Sequence, residues 1–119
     1  ETILIIEDDH SVRDLLDRAL IGLGYKVLTA KDGKEGLNIF DSKYGEIGLI
    51  ITDMIMPEMG GIELSREIKQ RKPSVRILGI TGYDFSAKKE DIINAGIEEM
   101  LQKPFNLGKL AKTVTRIMG

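Results

Sequence analysis

The strongest constraint on the fold is the alternation of short apolar runs with segments of helical periodicity. The first and third runs, ILII (3–6) and GLIIT (48–52), are almost continuously apolar. Strands have this character when both faces of a parallel sheet are covered. The other runs are VLTA (27–30), RILGIT (76–81) and the weaker EEMLQ (98–102). Five strands of one parallel sheet are therefore predicted.

Helical patterns separate and follow these runs. In the first, apolar residues recur at helical spacing from Val12 to Leu23, with Ser11 as a plausible N-cap and Gly24 as a C-terminal cap. The other four are predicted around 37–40, around 62–69 before Pro73, from 87 to 95 before Gly96, and over 107–117 after an Asn106 N-cap. The order βαβαβαβαβα predicts an α/β fold with right-handed crossovers and helices on both faces of the sheet.

Length and composition narrow the function. The 119 residues suit one domain, 1–119, and a start at Glu1 without methionine is typical of a domain excised from a longer protein. The net charge is −2 without a basic block, which gives no reason to expect direct nucleic-acid binding. The chain has no cysteine, no signal peptide is visible in the sequence, and no apolar run approaches the ~18 residues needed to span a membrane. We therefore expect a cytoplasmic domain without disulfides or membrane contact.

Polar residues follow the predicted strands at their carboxyl ends, where open parallel sheets place their sites. The first strand runs into the acids 7–9, the third ends in Asp53, the fourth in Thr81, and the fifth leads to Lys103. Each residue alone has an ordinary explanation, such as a solvated loop charge or the strand propensity of threonine. Their convergence on one edge of the sheet is what indicates a site.

This set of side chains supports a narrow range of chemistry. Crowded carboxylates favour a divalent cation, and oxygen ligands select Mg²⁺ or a similar hard metal. The ammonium of Lys103 and the hydroxyl of Thr81 can both donate to a phosphoryl oxygen. Asp53 can then act as the nucleophile that attacks phosphorus and forms an aspartyl phosphate.

Four motifs carry a resemblance to a known family: IIEDD (5–9), DMIMPEMGG (53–61), ITG (80–82) and KPF (103–105). In this order and spacing the chain resembles, over essentially its whole length, the CheY-like receiver domains of two-component response regulators. The resemblance implies a flavodoxin-like, doubly wound (βα)5 sandwich with a five-stranded parallel sheet in the order 2-1-3-4-5.

The resemblance also implies a role for each site residue. Asp53 matches the phosphoacceptor. Asp8 matches a direct Mg²⁺ ligand, and the metal would also bind Asp53 and the main-chain carbonyl of Ile55. Glu7 would bind the metal through water, and Asp9 would lie outside the site. Pro57 and the glycines that follow would bend the loop so that the carbonyl faces the metal.

The remaining implied roles concern switching. Thr81 matches the switch hydroxyl and Lys103 the phosphate-binding lysine, with a cis bond before Pro104. A sensor histidine kinase or a phosphotransfer domain would donate the phosphoryl group. The fourth helix, fifth strand and fifth helix would present the changed surface to an output domain or a downstream protein.

The sequence departs from the family at two places. Met100 stands where an aromatic residue usually completes the switch, so the usual ring rotation is in doubt. Lys109 and Thr113 stand where the winged-helix transcription factors place an acid and an arginine on the last helix. We therefore do not expect dimerisation through those charged pairs.

Four alternatives compete with a free-standing or N-terminal receiver. The receiver of a hybrid sensor histidine kinase would have the same motifs. An aspartate-nucleophile phosphatase of the haloacid-dehalogenase kind needs a second aspartate where this chain has Ile55. A pseudo-receiver would lack site residues that are present here. A flavin or nucleotide binder needs a glycine-rich loop where this chain has EDDHS.

Overall fold

One parallel sheet organises the domain. The computed structural model describes residues 1–82 and 85–119. Adjacent strands pair in parallel in the order β2-β1-β3-β4-β5, which confirms the predicted topology. The strands are β1 (Thr2–Ile6), β2 (Lys26–Ala30), β3 (Ile47–Asp53), β4 (Arg76–Thr81) and β5 (Glu99–Gln102).

Five helices lie within the described ranges, each near a predicted position. They are α1 (His10–Gly22), α2 (Gly33–Ser42), α3 (Gly61–Arg71), α4 (Lys89–Asn94) and α5 (Leu107–Met118). Asn106 caps α5 by accepting a hydrogen bond from the N–H of Lys109, as predicted. The fourth helix is shorter than the predicted 87–95, because it begins only after Lys88.

The core consists of two apolar layers, one on each face of the sheet. Every residue of β1 and β3 is buried, which explains why their sequences are almost continuously apolar. Alternate residues of the strands face α1 and α5 on one side, where Leu16, Leu20 and Leu110 are fully buried. The other face packs against α2 and α3 through Phe40 and Leu64.

The start of α1 differs from the prediction. The N-cap is Asp9, whose carboxylate accepts hydrogen bonds from the N–H groups of Ser11 and Val12. The expectation that Ser11 caps the helix is wrong, because Ser11 already lies inside the helix. Leu15 and Leu23 belong to the predicted apolar pattern but are each 48% exposed.

Lys69 of α3 contacts the chain just beyond the C-terminal end of α4. None of the six residues of α4 is buried, and Gly96 beyond it has a φ of +88°. The stem of Lys69 from α3 lies so close to Gly96 that a Cβ there would be 2.6 Å from the lysine Cγ. The Lys69 ammonium donates to the carbonyl of Val75 at 2.6 Å and pairs with Glu98 at 2.7 Å. These contacts join α3 to the turn between α4 and β5.

Candidate functional site

Three carboxylates meet at the carboxyl edge of the two central strands. Ile6 pairs with Thr52 in the sheet, so Glu7 and Asp53 leave β1 and β3 side by side. Glu7, Asp8 and Asp53 each offer an oxygen within 4.8 Å of the others. Glu7 is 1% exposed and Asp53 is 8% exposed, whereas Asp8 is open to solvent. The structure thus brings together the three acids that the sequence singled out and leaves Asp9 to cap α1.

An ammonium group closes the other side of this cluster. Nζ of Lys103 lies 3.3 Å from Oε1 of Glu7 and 3.5 Å from Oδ2 of Asp53. Partial burial works to lower the pKa of Lys103, but the negative charges of Glu7 and Asp53 outweigh it and the pKa is raised. The lysine therefore remains charged at neutral pH. Its following peptide bond, to Pro104, is cis, the isomer that the resemblance implies.

Burial sets the protonation of Glu7. Removal from water and the neighbouring Asp53 carboxylate raise the pKa of Glu7 from 4.5 to about 7. A hydrogen bond from the N–H of Asp9 and the charge of Lys103 oppose this rise. Near neutral pH a proton therefore competes with any cation for this carboxylate.

Sequence reasoning missed two contacts that position Glu7. Nη1 of Arg13, one turn into α1, donates to the main-chain carbonyl of Glu7 at 2.9 Å. The N–H of Asp9 donates to Oε2 of Glu7 at 3.2 Å. The structure shows that α1 and the acidic pair are held to one another.

The loop after Asp53 returns the chain toward the sheet within a few residues. The N–H of Ile55 donates to Oδ1 of Asp53 at 3.4 Å, and the Ile55 side chain is 43% exposed. Glu58 adopts a left-handed φ of +69°, and the N–H of Gly61 donates back to the carbonyl of Met54. This is the sharp bend that Pro57 and the glycines predict.

The two predicted switch residues lie on the neighbouring strands. Thr81 ends β4, and its hydroxyl donates to the carbonyl of Gly82 at 3.2 Å. Met100 lies in β5 and packs partly buried against the core on the α3 side of the sheet. A Cβ built on Gly79, which pairs with Met100 across the two strands, would be 2.6 Å from the Met100 sulphur.

The donors at this edge fit a hard divalent cation. All three converging side chains offer carboxylate oxygens, the ligands that Mg²⁺ prefers, and the exposure of Asp8 leaves room for the waters that Mg²⁺ retains. No thiolate competes, since the chain has no cysteine.

The described residues contain no helix that combines the length and apolar character needed to cross a membrane.

Comparison with known proteins agrees with this geometry. The pattern that defines the response regulator receiver domain matches residues 3–115. The chain is 35% identical over 117 residues to the sensor kinase CckA of Brucella abortus, covering 98% of this chain but 12% of CckA. The chain spans less than half the length of the first curated relatives that it matches.

Solved structures show the same fold over 98% of the chain. Chemotaxis protein CheY4 of Vibrio cholerae superposes with a TM-score of 0.89 at 31% identity, covering 98% of this chain and 97% of CheY4. Response regulator TrrA of Thermotoga maritima, solved in complex with Mg²⁺ and BeF, superposes with a TM-score of 0.85 at 32% identity, covering 98% of both chains.

These findings define the class of protein. The topology, the acidic edge and the match over residues 3–115 are those of a phosphoacceptor signalling switch with a CheY-type fold. The chain belongs to the response regulator receiver domain family. Sensor kinases and a response regulator, MprA of Mycolicibacterium vanbaalenii, are among its relatives.

Proposed function

We propose that Asp53 accepts a phosphoryl group from a phosphohistidine of a sensor histidine kinase or a phosphotransfer domain. The observation that carries this proposal is the position of its carboxylate. Asp53 ends a strand that is buried on both faces, and its carboxylate lies beside the carboxylates of Glu7 and Asp8. Its Oδ2 is 3.5 Å from Nζ of Lys103. A carboxylate oxygen of Asp53 would attack phosphorus, and the P–O bond would form as the P–N bond to the imidazole breaks.

The neighbouring residues would hold the metal and the incoming charge. Asp8, Asp53 and the main-chain carbonyl of Ile55 would bind Mg²⁺, with Glu7 acting through water. When bound, Mg²⁺ supplies the positive charge that offsets the transferring phosphoryl oxygens. The ammonium of Lys103 would move its hydrogen bond from the free carboxylate to a phosphoryl oxygen, and the complex of TrrA with Mg²⁺ and BeF supports such a site in this family.

Switching would start from the hydroxyl of Thr81. In the structure it donates to Gly82, so turning it toward a phosphoryl oxygen requires a rotation of the side chain. The surface formed by α4, β5 and α5, with Met100 in its central strand, would report the change to an output domain or a downstream protein. The domain would phosphorylate and dephosphorylate itself rather than turn over a separate substrate, and it would act in the cytoplasm.

The residues also fit the receiver of a hybrid sensor histidine kinase. Similarity to CckA and to the sensor histidine kinase RcsC of Escherichia coli covers 97–98% of this chain but 12% of each of those proteins. The same chemistry at Asp53 would then serve as one step of a relay within a longer chain.

Phosphorylation of Asp53 is tested directly by intact mass. With Mg²⁺ and acetyl phosphate, the wild-type chain should gain the mass of one phosphoryl group, and chelation of the metal should prevent the gain. Asp53→Asn should gain none, because an amide is not a nucleophile for phosphorus. Asp9→Asn is the matched control, since Asp9 caps α1 outside the site and should leave phosphorylation intact. Uptake by Asp53→Asn at the wild-type rate would disprove the assignment.

A further inference from the structure

Two methionine side chains meet over a glycine between the phosphoacceptor strand and β5. Met54, the residue after Asp53, is 3% exposed, and its sulphur would lie 2.8 Å from a Cβ built on Gly79. The sulphur of Met100 would lie 2.6 Å from the same point. The two thioethers therefore share the space that any side chain at position 79 would take.

The Met54 side chain is confined on a second side. A Cβ on Gly61, the first residue of α3, would lie 2.7 Å from the Met54 sulphur. The main chain of Met54 is also tied to β4, because its N–H donates to the carbonyl of Ile80 at 2.9 Å. A shift of the loop around Asp53 is thus transmitted to a side chain that cannot easily move toward α3 or β4.

We propose that Gly79 is a positioning residue of the switch, because its missing side chain lets Met54 and Met100 pack together and couple the phosphoacceptor loop to β5. This inference rests on the proposed function of Asp53. Close packing transmits displacement, since neighbouring atoms have no empty space to absorb it. The thioether is polarisable and its chain flexible, so Met100 can follow Met54 through many small steps. The route runs from Asp53 to β5 beside the one through Thr81.

The coupling is measured from the methyl signals of Met54 and Met100 by NMR, with Mg²⁺ and beryllofluoride as the probe. In the wild type, both signals should shift as beryllofluoride is added. Gly79→Ala should keep the Met54 shift but lose most of the Met100 shift, because the new methyl group separates the two sulphurs. Gly22→Ala is the control, since a Cβ there meets nothing within 4 Å.

Two more variants complete the test. Met54→Leu keeps the core volume but shortens the side chain, so it should also lose most of the Met100 shift even if Gly79→Ala folds poorly. Thr81→Ala removes a hydroxyl that would contact the probe, so its Met100 signal is compared only where the Ile55 amide shows that beryllofluoride is bound, and there part of the Met100 shift should remain because the route through Met54 is intact. A wild-type Met100 response in either Gly79→Ala or Met54→Leu overturns the inference, and so does complete loss of the Met100 shift in Thr81→Ala with beryllofluoride bound.

The amide signal of Ile55 separates this inference from the function beneath it. Ile55 lies beside Asp53 and contacts its carboxylate, so its amide should respond to beryllofluoride in every variant. Response at Ile55 without the expected pattern at Met100 rejects only the role of Gly79. No response at Ile55 in the wild type overturns the proposed function, and the inference with it.

Discussion

At the scale of single residues, Glu7 is a buried acid with a displaced proton equilibrium. Four groups face it: the carboxylates of Asp8 and Asp53, the Lys103 ammonium, and the N–H of Asp9. The pKa of Glu7 is about 7 in the folded protein and 4.5 in the unfolded chain. Between these pH values the folded protein therefore holds a proton that the unfolded chain has released. The stabilisation is complete below pH 4.5 and is lost as the pH rises through 7.

Without metal, we predict that Glu7→Gln removes a fall in stability of about 2 to 3 kcal/mol between pH 5 and pH 8. The measurement is urea unfolding across that range in the presence of a chelator. Glu46→Gln changes an exposed glutamate and is the control that should retain the wild-type slope. If Glu7→Gln and wild type show parallel pH profiles, the proton is not on Glu7.

At the scale of secondary structure, the side chain of Asp9 should stabilise the N-terminus of α1. Asp9 satisfies the N–H groups of Ser11 and Val12, so Asp9→Ala should lower the free energy of unfolding by about 1 kcal/mol. Ser11→Ala, at the residue that sequence alone favoured as the cap, should have a much smaller effect. Chemical denaturation of both variants decides the matter, and a larger loss in Ser11→Ala would contradict the cap seen in the structure.

The elements show what a sequence can and cannot predict. The near-continuous apolar runs of β1 and β3 predict a parallel sheet that is covered on both faces. The ends of the predicted strands indicate Glu7, Asp8, Asp53 and Lys103 as candidate site residues. The cap of α1 was misplaced because aspartate and serine both suit an N-cap, and only the backbone dihedrals distinguish them.

Packing between distant strands was beyond the sequence for a different reason. Gly79 in RILGIT looked like one more residue of an apolar run, and Met54 like part of a bend. The position of both methionine sulphurs beside Gly79 depends on the register between β4 and β5 and on side-chain direction, neither of which is fixed locally. In α1, helical spacing alone did not distinguish Leu15 and Leu23, which are exposed, from the buried Leu16 and Leu20.

At the scale of the whole molecule, the acidic edge links metal binding to folding. Crowded carboxylates repel one another in the native state, and a cation that binds only this state stabilises it. We predict that Mg²⁺ raises the melting temperature, with a gain of about 2.7 kcal/mol at a concentration one hundred times Kd.

Asp8→Ala should abolish the rise, because it removes the proposed direct ligand. Asp14→Ala, at a surface aspartate paired with Arg18, should keep it. Thermal scans with and without Mg²⁺ compare the three proteins, and an undiminished rise in Asp8→Ala would locate the metal elsewhere.

The complete burial of β1 and β3 has a consequence for how the molecule opens. Amides in a strand covered on both faces and hydrogen-bonded on both sides exchange with solvent chiefly when the whole domain unfolds. Those of the sheet edge β5 and of α4, which has no buried residue, exchange through smaller fluctuations. We therefore expect the acids to adjoin the strands whose amides exchange most slowly, whereas Met100 lies in an edge strand that should open more readily.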